Sequence, residues 1–330
     1  MADMALTEQL AGADRATAVR RFGRSDARFR GLTFAAAVLV LAIFLGIIAA
    51  LAGGALPAFS TFGWSFLVTE VWNPVTEKYG AAAPIYGTLV TSALAMLVAV
   101  PVGIGIAIFL TEICPRALKR PIGIAIELLA GIPSIIYGIW GLFVFAPFFQ
   151  LHVEPWLIGL FGNVPVLNTL FSGPPYGIGI FSASLILSIM ILPFISAVTR
   201  DVFETVPPIL KEAAYGLGST TWEVMWSVVL PYARSGVVGG SMLALGRALG
   251  ETMAVTFVIG NAHTIPHSLF SPGTTISAAI ANEFTEATTP LYVSSLIAIG
   301  LVLFFITFLV LASAQLMLQR LERRAGGGSK

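Results

Sequence analysis

Residues 200–231 read RDVFETVPPILKEAAYGLGSTTWEVMWSVVLP and lie between two long apolar segments. Pro207 and Pro208 suit the first turn of a helix, where a missing N–H costs nothing. The apolar residues that follow recur at the spacing of one helical face, namely Leu210, Ala213, Ala214 and Leu217. Gly216 and Gly218 are expected to end this helix. The first half of the stretch therefore predicts one short amphipathic helix.

The second half of the stretch predicts another short helix. Thr220 is followed three residues later by Glu223, a capping-box pattern that is typical of a helix N-terminus. Apolar residues again share one face, at Trp222, Met225, Trp226 and Val229. Pro231 is expected to close this helix. The result is two amphipathic helices with a glycine elbow between them. Amphipathic helices of this kind can lie beneath a bilayer, and one explanation is that this pair only rests on the lipid surface.

The composition of the chain is that of a membrane protein. Of its 330 residues, 18 are Lys or Arg and 17 are Asp or Glu. Charged residues make up 11% of the chain, against about 25% in a soluble domain, and the mean hydropathy is +0.89. A net charge of +1 argues against a nucleic-acid partner. The single cysteine, Cys114, excludes an intrachain disulfide.

Six apolar segments are long enough to cross about 30 Å of hydrocarbon as helices. They extend over residues 32–53, 85–110, 122–149, 177–199, 235–260 and 291–318. We therefore predict an all-α, polytopic membrane bundle of six transmembrane helices. Residues 1–30 and 321–330 are then cytoplasmic tails, and residues 31–320 form the transmembrane domain that contains the 200–231 loop.

The basic residues are distributed unequally between the two sides of this topology. Those of the N-terminal tail, of the loops after the second and fourth spans and of the C-terminal tail fall on one side. Only Lys78, in an opposite loop, and Arg247, within the fifth span, do not. Because short loops keep Lys and Arg in the cytoplasm, both termini are expected to be cytoplasmic.

Arg247 and Glu251 are charged residues within the predicted fifth span. Arg247 lies about 20 Å along the helix from Arg234, and each charge at the centre of a bilayer costs about 3 kcal/mol. Four residues apart on one helical face, the two are expected to pair. They could simply neutralise one another. The functional hypothesis is that Arg247 contacts an anionic solute in a translocation path and Glu251 holds its guanidinium in position.

The remaining polar residues predict no catalytic or metal centre. His263 and His267 are close in sequence, but no further ligand follows at a convincing spacing. Glu127, near the start of the predicted third span, is expected to be a packing or interface residue. Ser, His and acidic residues form no arrangement that indicates nucleophilic catalysis.

The 200–231 loop resembles that of the permease subunits of bacterial ABC importers, whose pattern is Glu-Ala-Ala, three residues, Gly, nine residues, Ile, one residue and Leu-Pro. The matching residues here are Glu212, Ala213, Ala214, Gly218, Val228, Leu230 and Pro231, at the same spacings and with Val in place of Ile. The resemblance implies the fold of a type I importer permease. It also implies that the loop couples this chain to a separate ATPase by seating in a groove of that protein.

The chain contains no Gly-x-x-x-x-Gly-Lys-Ser/Thr phosphate loop. ATP hydrolysis is therefore expected on a partner subunit, which would hold the ATP and Mg²⁺. For this chain itself we expect a transport role rather than an enzymatic one, with no cofactor.

Three further stretches resemble phosphate-importer permeases of the PstC type, at residues 111–115, 127–141 and 246–255. This resemblance implies passage of phosphate through the bacterial inner membrane, with a second homologous permease, an ATPase dimer and an extracytoplasmic phosphate-binding protein as partners. The residues themselves leave sulfate or molybdate open as the solute. An ion-coupled secondary transporter and a non-transporting scaffold or sensor are alternative classes, but neither needs an ATPase-docking loop.

Overall fold

The computed structural model describes the backbone of residues 2–326 and the side chains of residues 28–320. Within that part of the chain, six helical segments are long and apolar enough to cross a membrane. They are Arg28–Leu67, Ala82–Ile113, Ser134–Phe161, Ile180–Glu204, Thr221–Leu249 and Pro290–Arg320. The prediction of a six-helix, all-α bundle is confirmed, whereas the bounds of the third and fifth spans differ from the predicted ones.

α1 (Ala2–Phe62) contains most of the first candidate span. The chain divides into two units, residues 1–53 and 54–330. In the first unit, the described side chains from residue 28 onward are mostly exposed, including those of Phe34, Leu39 and Leu45. A helix with apolar side chains on all of its sides is typical of a segment that faces lipid. Most side chains of the two predicted tails, 1–30 and 321–330, lie outside the described residues.

α2 (Ala82–Ile108) continues through a π turn (Phe109–Ile113), and the amphipathic α3 (Arg116–Ala130) follows it as a separate helix. The prediction that the third span begins at residue 122 is wrong. Gly131 ends α3, and Pro133 disfavours helical backbone in the residue before it, so the span starts only after this break. Glu127 consequently lies on α3 rather than in the third span.

The third span is built from three helices joined by π turns, and a single helical turn follows it. These elements are α4 (Ser134–Trp140), α5 (Ala146–Phe148), α6 (Glu154–Phe161) and α7 (Leu167–Leu170), with π turns at Gly141–Phe145 and Phe149–Val153.

α8 (Ile180–Glu204) is the central helix of the second unit, since 67% of its most apolar 18-residue stretch is buried. It packs most extensively against α2. Gly103 permits this close approach, because a Cβ at that position would lie only 2.7 Å from Cγ2 of Ile195. Ala95 and Ala99, both fully buried, add further small side chains to the α2 face of this contact. Small residues at helix contacts are typical of membrane bundles.

α9 (Pro208–Gly216) and α10 (Thr221–Val224) form the predicted elbow. Pro231 does not close the second helix, contrary to the prediction. α10 instead continues through a π turn (Met225–Val229) into α11 (Leu230–Leu249). A proline inside a helix clashes with the carbonyl four residues earlier, and the wider π turn before Pro231 relieves such a clash.

The fifth span ends at Leu249, eleven residues before the predicted end at residue 260. Gly250 follows the last helical residue, and glycine is the residue that most often ends a helix. The chain then forms α12 (Met253–Thr256), α13 (Ile276–Glu283) and α14 (Pro290–Gly326), which contains the sixth span. Although α12 has only four residues, Ala254 and Val255 are buried in the same core cluster as α8.

Candidate translocation and coupling sites

The turn between α9 and α10 depends on Gly218, whose φ is +87°. Residues with a Cβ rarely adopt this conformation. The amide of Gly218 donates to the carbonyl of Tyr215 at 2.9 Å, and the amide of Ser219 donates to that of Ala214 at 3.2 Å. These bonds help to satisfy the carbonyl groups in the last turn of α9. The predicted glycine elbow is thus present at Gly218.

The predicted capping box at the start of α10 is also present. The amide of Thr220 donates to Oε2 of Glu223 at 2.8 Å, and the amide of Glu223 donates to Oγ1 of Thr220 at 3.4 Å. The two residues fix the direction in which the chain leaves the elbow.

The outer surface of the elbow is apolar and exposed. Leu217 is 88% exposed, Ile209 is 72% exposed and Trp222 is 64% exposed. Several large apolar side chains exposed along one short segment indicate contact with another protein or with a membrane. The elbow therefore presents the kind of surface that its predicted docking role needs.

The predicted coupling residues separate into an inner and an outer group. Ala214 and Leu230 pack against one buried cluster, which we call the elbow core: Ala107, Phe203, Val206, Val224, Met225, Val229, Ala233 and Val237. Glu212, Ala213, Gly218 and Pro231 are exposed instead. The elbow core joins α2, α8 and α11, so the inner group attaches the elbow to three candidate spans.

The sequence did not reveal an ion pair that fastens α9 to the second span. Nζ of Lys211 lies 2.6 Å from Oε1 of Glu112, and their side chains are only 20% and 10% exposed. Both residues were predicted to lie on the cytoplasmic side, which is the only signal of this contact that the sequence contained. Their separation of 99 residues hides the pairing itself.

Arg247 and Glu251, the predicted path residues, do not form the expected pair. Arg247 lies in the last turn of α11, and Glu251 lies beyond the end of that helix. Among the described side chains, no ion pair joins the two. Oε1 of Glu251 accepts a hydrogen bond from the amide of Ala254 at 3.3 Å, at the start of α12. The assumption of one continuous helical face was wrong because the helix breaks at Gly250.

The helix ends beside these two charges have the polarity that suits each of them. The last carbonyl groups of α11 favour a cation such as Arg247, and the first amides of α12 favour an anion such as Glu251. Arg247 is exposed on the surface of the chain and Glu251 is half-buried. An exposed guanidinium beside a helix break is available to an anionic solute or to a neighbouring subunit.

The elbow and Arg247 lie on the same rod of helix. The segment Thr221–Leu249 is 29 residues long and has no break apart from its π turn. At 1.5 Å per residue, the two ends of this segment are about 40 Å apart.

A polar and aromatic cluster surrounds Glu283, on the side of the bundle opposite the elbow. Its carboxylate lies 2.5 Å from Nε2 of His263 and accepts hydrogen bonds from Nε1 of Trp72 at 2.5 Å and from the hydroxyl of Tyr292 at 2.7 Å. The Trp72 and His263 rings are stacked, with centroids 5.1 Å apart. His263 is thus engaged with Glu283 and Trp72. His263 was considered from the sequence only as a possible metal ligand, and nothing in the sequence indicated its contacts with Glu283 and Trp72.

Burial and hydrogen bonding act in opposite directions on Glu283. Burial favours the neutral carboxyl group, but the hydrogen bonds from His263, Tyr292 and Trp72 outweigh that effect and lower the pKa of Glu283. Tyr79, which stacks on Tyr292, has a raised pKa because of burial and, secondarily, the nearby Glu77 carboxylate. The cluster therefore holds Glu283 as an anion that links the loop before α2 and the loop after α12 to the start of α14.

Comparison with known proteins places this architecture among transport proteins. The family described as "binding-protein-dependent transport system inner membrane component" matches residues 99–326. A "phosphate transport system permease protein PstC" of Mesorhizobium japonicum is 66% identical over 308 residues, which cover 93% of this chain and 94% of that protein. The protein of the same name from Pasteurella multocida is 60% identical over 90% of this chain and 93% of its own length.

A solved structure shares the fold at much lower identity. It is a bacterial alginate ABC transporter in complex with a periplasmic protein bound to an alginate pentasaccharide. The matching chain has a TM-score of 0.59 and 20% identity, over 90% of this chain and 96% of that one. With six candidate spans, the elbow motif and a family match over most of its length, the chain belongs to the inner membrane components of binding-protein-dependent transport systems.

Proposed function

We propose that this chain is the permease subunit through which an ATP-driven importer passes inorganic phosphate across the bacterial inner membrane. The observation that carries the proposal is the exposed elbow, with its positive-φ Gly218 and apolar outer surface. A secondary transporter has no need for such a surface. The solute is proposed from relatives that are named phosphate transport system permease proteins, two of which are 66% and 60% identical.

Energy would enter through the elbow. The outer group of coupling residues would contact a groove of the ATPase, while Ala214, Leu230 and the Lys211–Glu112 pair attach the elbow to the bundle. Closure of the ATPase dimer around ATP and Mg²⁺ would move α9, and the Thr221–Leu249 rod would transmit that movement across the membrane. Ala213 and Gly218, the two smallest residues of the outer group, leave room for a partner to approach closely.

Arg247 and Glu251 would lie on the path of the solute. A guanidinium recognises an oxyanion through charge-assisted, often bidentate hydrogen bonds. Because Arg247 is exposed on this chain, we place the path at the interface with a second homologous permease rather than inside one chain. Glu251 would act on the path beside Arg247 rather than by direct pairing. Sulfate and molybdate have similar chemistry and are the competing solutes.

The topology and the partners follow from the same proposal. The side that carries most basic loops would be cytoplasmic, with both termini there. The outer loops would receive an extracytoplasmic phosphate-binding protein, by analogy with the periplasmic protein that is bound to the alginate transporter.

Uptake of labelled phosphate by cells that contain all of the subunits tests this proposal. We expect Arg247→Ala to abolish uptake while the ATPase still co-purifies, because the variant removes an exposed group and no core packing. Arg234→Ala, which removes another exposed arginine of the same helix, is the matched control and should transport normally. Full uptake by Arg247→Ala would show that Arg247 is not part of the translocation path.

Two further arms separate the solutes and the energy sources. Excess sulfate or molybdate should leave phosphate uptake unchanged, and competition by either would reassign the solute. Vesicles that contain ATP on the ATPase side should accumulate phosphate without an ion gradient. Uptake that requires a gradient and ignores ATP would favour the ion-coupled transporter.

A further inference from the structure

A cavity of about 310 Å³ lies between α3 and the end of α8. Four cations line it, Arg116, Lys119, Arg120 and Arg200, together with the carboxylates of Glu127 and Glu204. The guanidinium of Arg200 lies close above α3, since a Cβ on Gly123 would lie 3.1 Å from its Nη1. We call this cavity the α3 pocket.

Two of the four cations in the α3 pocket form ion pairs, and the other two do not. Lys119 is 2.9 Å from Glu204, and Arg200 is 2.8 Å from Glu127 and 3.2 Å from Asp201. Within the described part of the chain, Arg116 and Arg120 have neither an ion pair nor a side-chain hydrogen bond, and both are exposed. The pocket thus contains two guanidinium groups available to an anion, and each can bind phosphate oxygens bidentately.

The helix beside the α3 pocket has the character of a segment that lies in a membrane surface. α3 has 15 residues, or about 22 Å of helix, which is too short to cross the bilayer. Its first half is basic, while Leu118, Ile124 and Leu128 are exposed, Leu128 by 68%. A basic amphipathic helix with exposed apolar residues buries them at the boundary between headgroups and acyl chains. Ile124 also lines the pocket, so cationic and apolar groups meet there.

We propose that the α3 pocket binds the phosphodiester headgroup of an anionic phospholipid, with Arg116 and Arg120 as its ligands and Ile124 and Leu128 beside the acyl chains. A soluble anion would use the arginines but not the exposed apolar residues, which is why we assign the site to a lipid. The proposal places the pocket in the cytoplasmic leaflet, whose anionic lipids attract basic segments near the membrane. It does not depend on which solute the permease passes.

Native mass spectrometry of the purified transporter tests the proposal, with phosphatidylglycerol or phosphatidylcholine added to the detergent solution. We expect phosphatidylglycerol to bind in preference to phosphatidylcholine. Each basic residue near an anionic membrane surface contributes about five-fold in affinity, and we expect a similar contribution toward a bound anionic headgroup. The double variant Arg116→Gln/Arg120→Gln should therefore weaken phosphatidylglycerol binding about 25-fold, whereas Arg116→Lys/Arg120→Lys should retain most of it.

The matched control removes two exposed arginines that lie on the same predicted side but outside the α3 pocket, in Arg234→Gln/Arg320→Gln. It should bind phosphatidylglycerol as the unmodified protein does. An equal loss in this control, or equal binding of the two lipids, would overturn the proposal. A third arm adds millimolar inorganic phosphate without lipid: if it binds with the same dependence on Arg116 and Arg120, the pocket is a free-anion site and the lipid assignment is wrong.

Discussion

Gly218 has a φ of +87°, and an ideal Cβ on it would meet no atom within 4 Å. The constraint at this position is therefore conformational within the chain, since a side chain would have space but the backbone would be strained. A left-handed conformation costs a residue with a Cβ about 1–2 kcal/mol, and a β-branched residue more. The elbow would respond by changing the angle between α9 and α10.

We therefore expect Gly218→Val to remain in the membrane at normal levels but to lose ATP-dependent phosphate uptake. Gly218→Ala should retain an intermediate rate because its strain is smaller. Immunoblots of membrane fractions and uptake assays measure the two effects separately.

Gly216 is the matched control for this prediction, because it is two residues away, has no positive φ and also has free space around an added Cβ. Gly216→Ala should transport normally, and its helix should be stabilised by up to about 1 kcal/mol. Normal uptake by Gly218→Val would show that the elbow geometry is not part of the mechanism.

Glu283 predicts a dependence of stability on pH. The pKa of Glu283 in the folded protein is lower than that of an ordinary glutamate, so folding favours the ionised form. The stabilisation is complete above the unfolded-state pKa and is lost as the pH falls through the lower, folded-state pKa. We expect the Tm of the purified protein to fall as the pH drops below the ordinary pKa of a glutamate, about 4.3, and Glu283→Gln to reduce that fall.

At neutral pH, Glu283→Gln should itself cost about 2 kcal/mol, because a neutral amide cannot replace a carboxylate that is bonded to His263, Tyr292 and Trp72. Glu286→Gln removes an exposed carboxylate three residues further along the chain and should change the stability by less than about 0.5 kcal/mol. A Tm profile of Glu283→Gln that matches the unmodified protein at every pH would contradict this account of the cluster.

Among the elements, α9 is attached to the bundle by one well-buried ion pair, Lys211–Glu112. Lys211→Met would leave the Glu112 carboxylate buried without its cation, a loss of about 3 kcal/mol. We expect a lower Tm and a smaller stimulation of the ATPase by the phosphate-loaded binding protein.

The double variant Glu112→Lys/Lys211→Glu keeps both charges and reverses the pair, so it should recover part of both losses. If the reversed pair is no better than Lys211→Met, the contribution of Lys211 is not electrostatic.

The bounds of the elements show where the sequence was informative and where it was not. Long apolar runs predicted all six spans because hydropathy is a local property of the chain. The errors at the third and fifth spans came from treating apolar sequence across Pro133 and across Gly250 as continuous helix. Both breaks have a visible local cause, so closer attention to these residues would have corrected the spans.

For the candidate site, the sequence predicted the local features and missed the long-range ones. The capping box at Thr220 and the turn at Gly218 depend on neighbouring residues, and both were predicted. The pairing of Lys211 with Glu112, or of Glu283 with Trp72, depends on how distant segments pack, which no local pattern encodes. The prediction of an Arg247–Glu251 pair was wrong because it assumed that the helix continues to Glu251. The helix ends at Leu249, two residues after Arg247.

For the whole molecule, the charge distribution predicts an orientation that single cysteines test. In the background Cys114→Ser, which removes the only native thiol, Val75→Cys would probe an outer loop and Leu217→Cys the elbow. The native side chains are 93% and 88% exposed, so either thiol should react readily. We expect a membrane-impermeant maleimide to label Val75→Cys in intact spheroplasts and Leu217→Cys only in inverted vesicles.

Addition of the ATPase should then slow labelling of Leu217→Cys and leave Val75→Cys unchanged, because the proposed groove would cover the elbow and nothing on the outer side. Labelling of both positions from one side would contradict the six-span topology. Equal labelling of Leu217→Cys with and without bound ATPase would leave the topology intact but remove the elbow from the interface. The one experiment thus separates the arrangement of the chain in the membrane from the way in which energy reaches it.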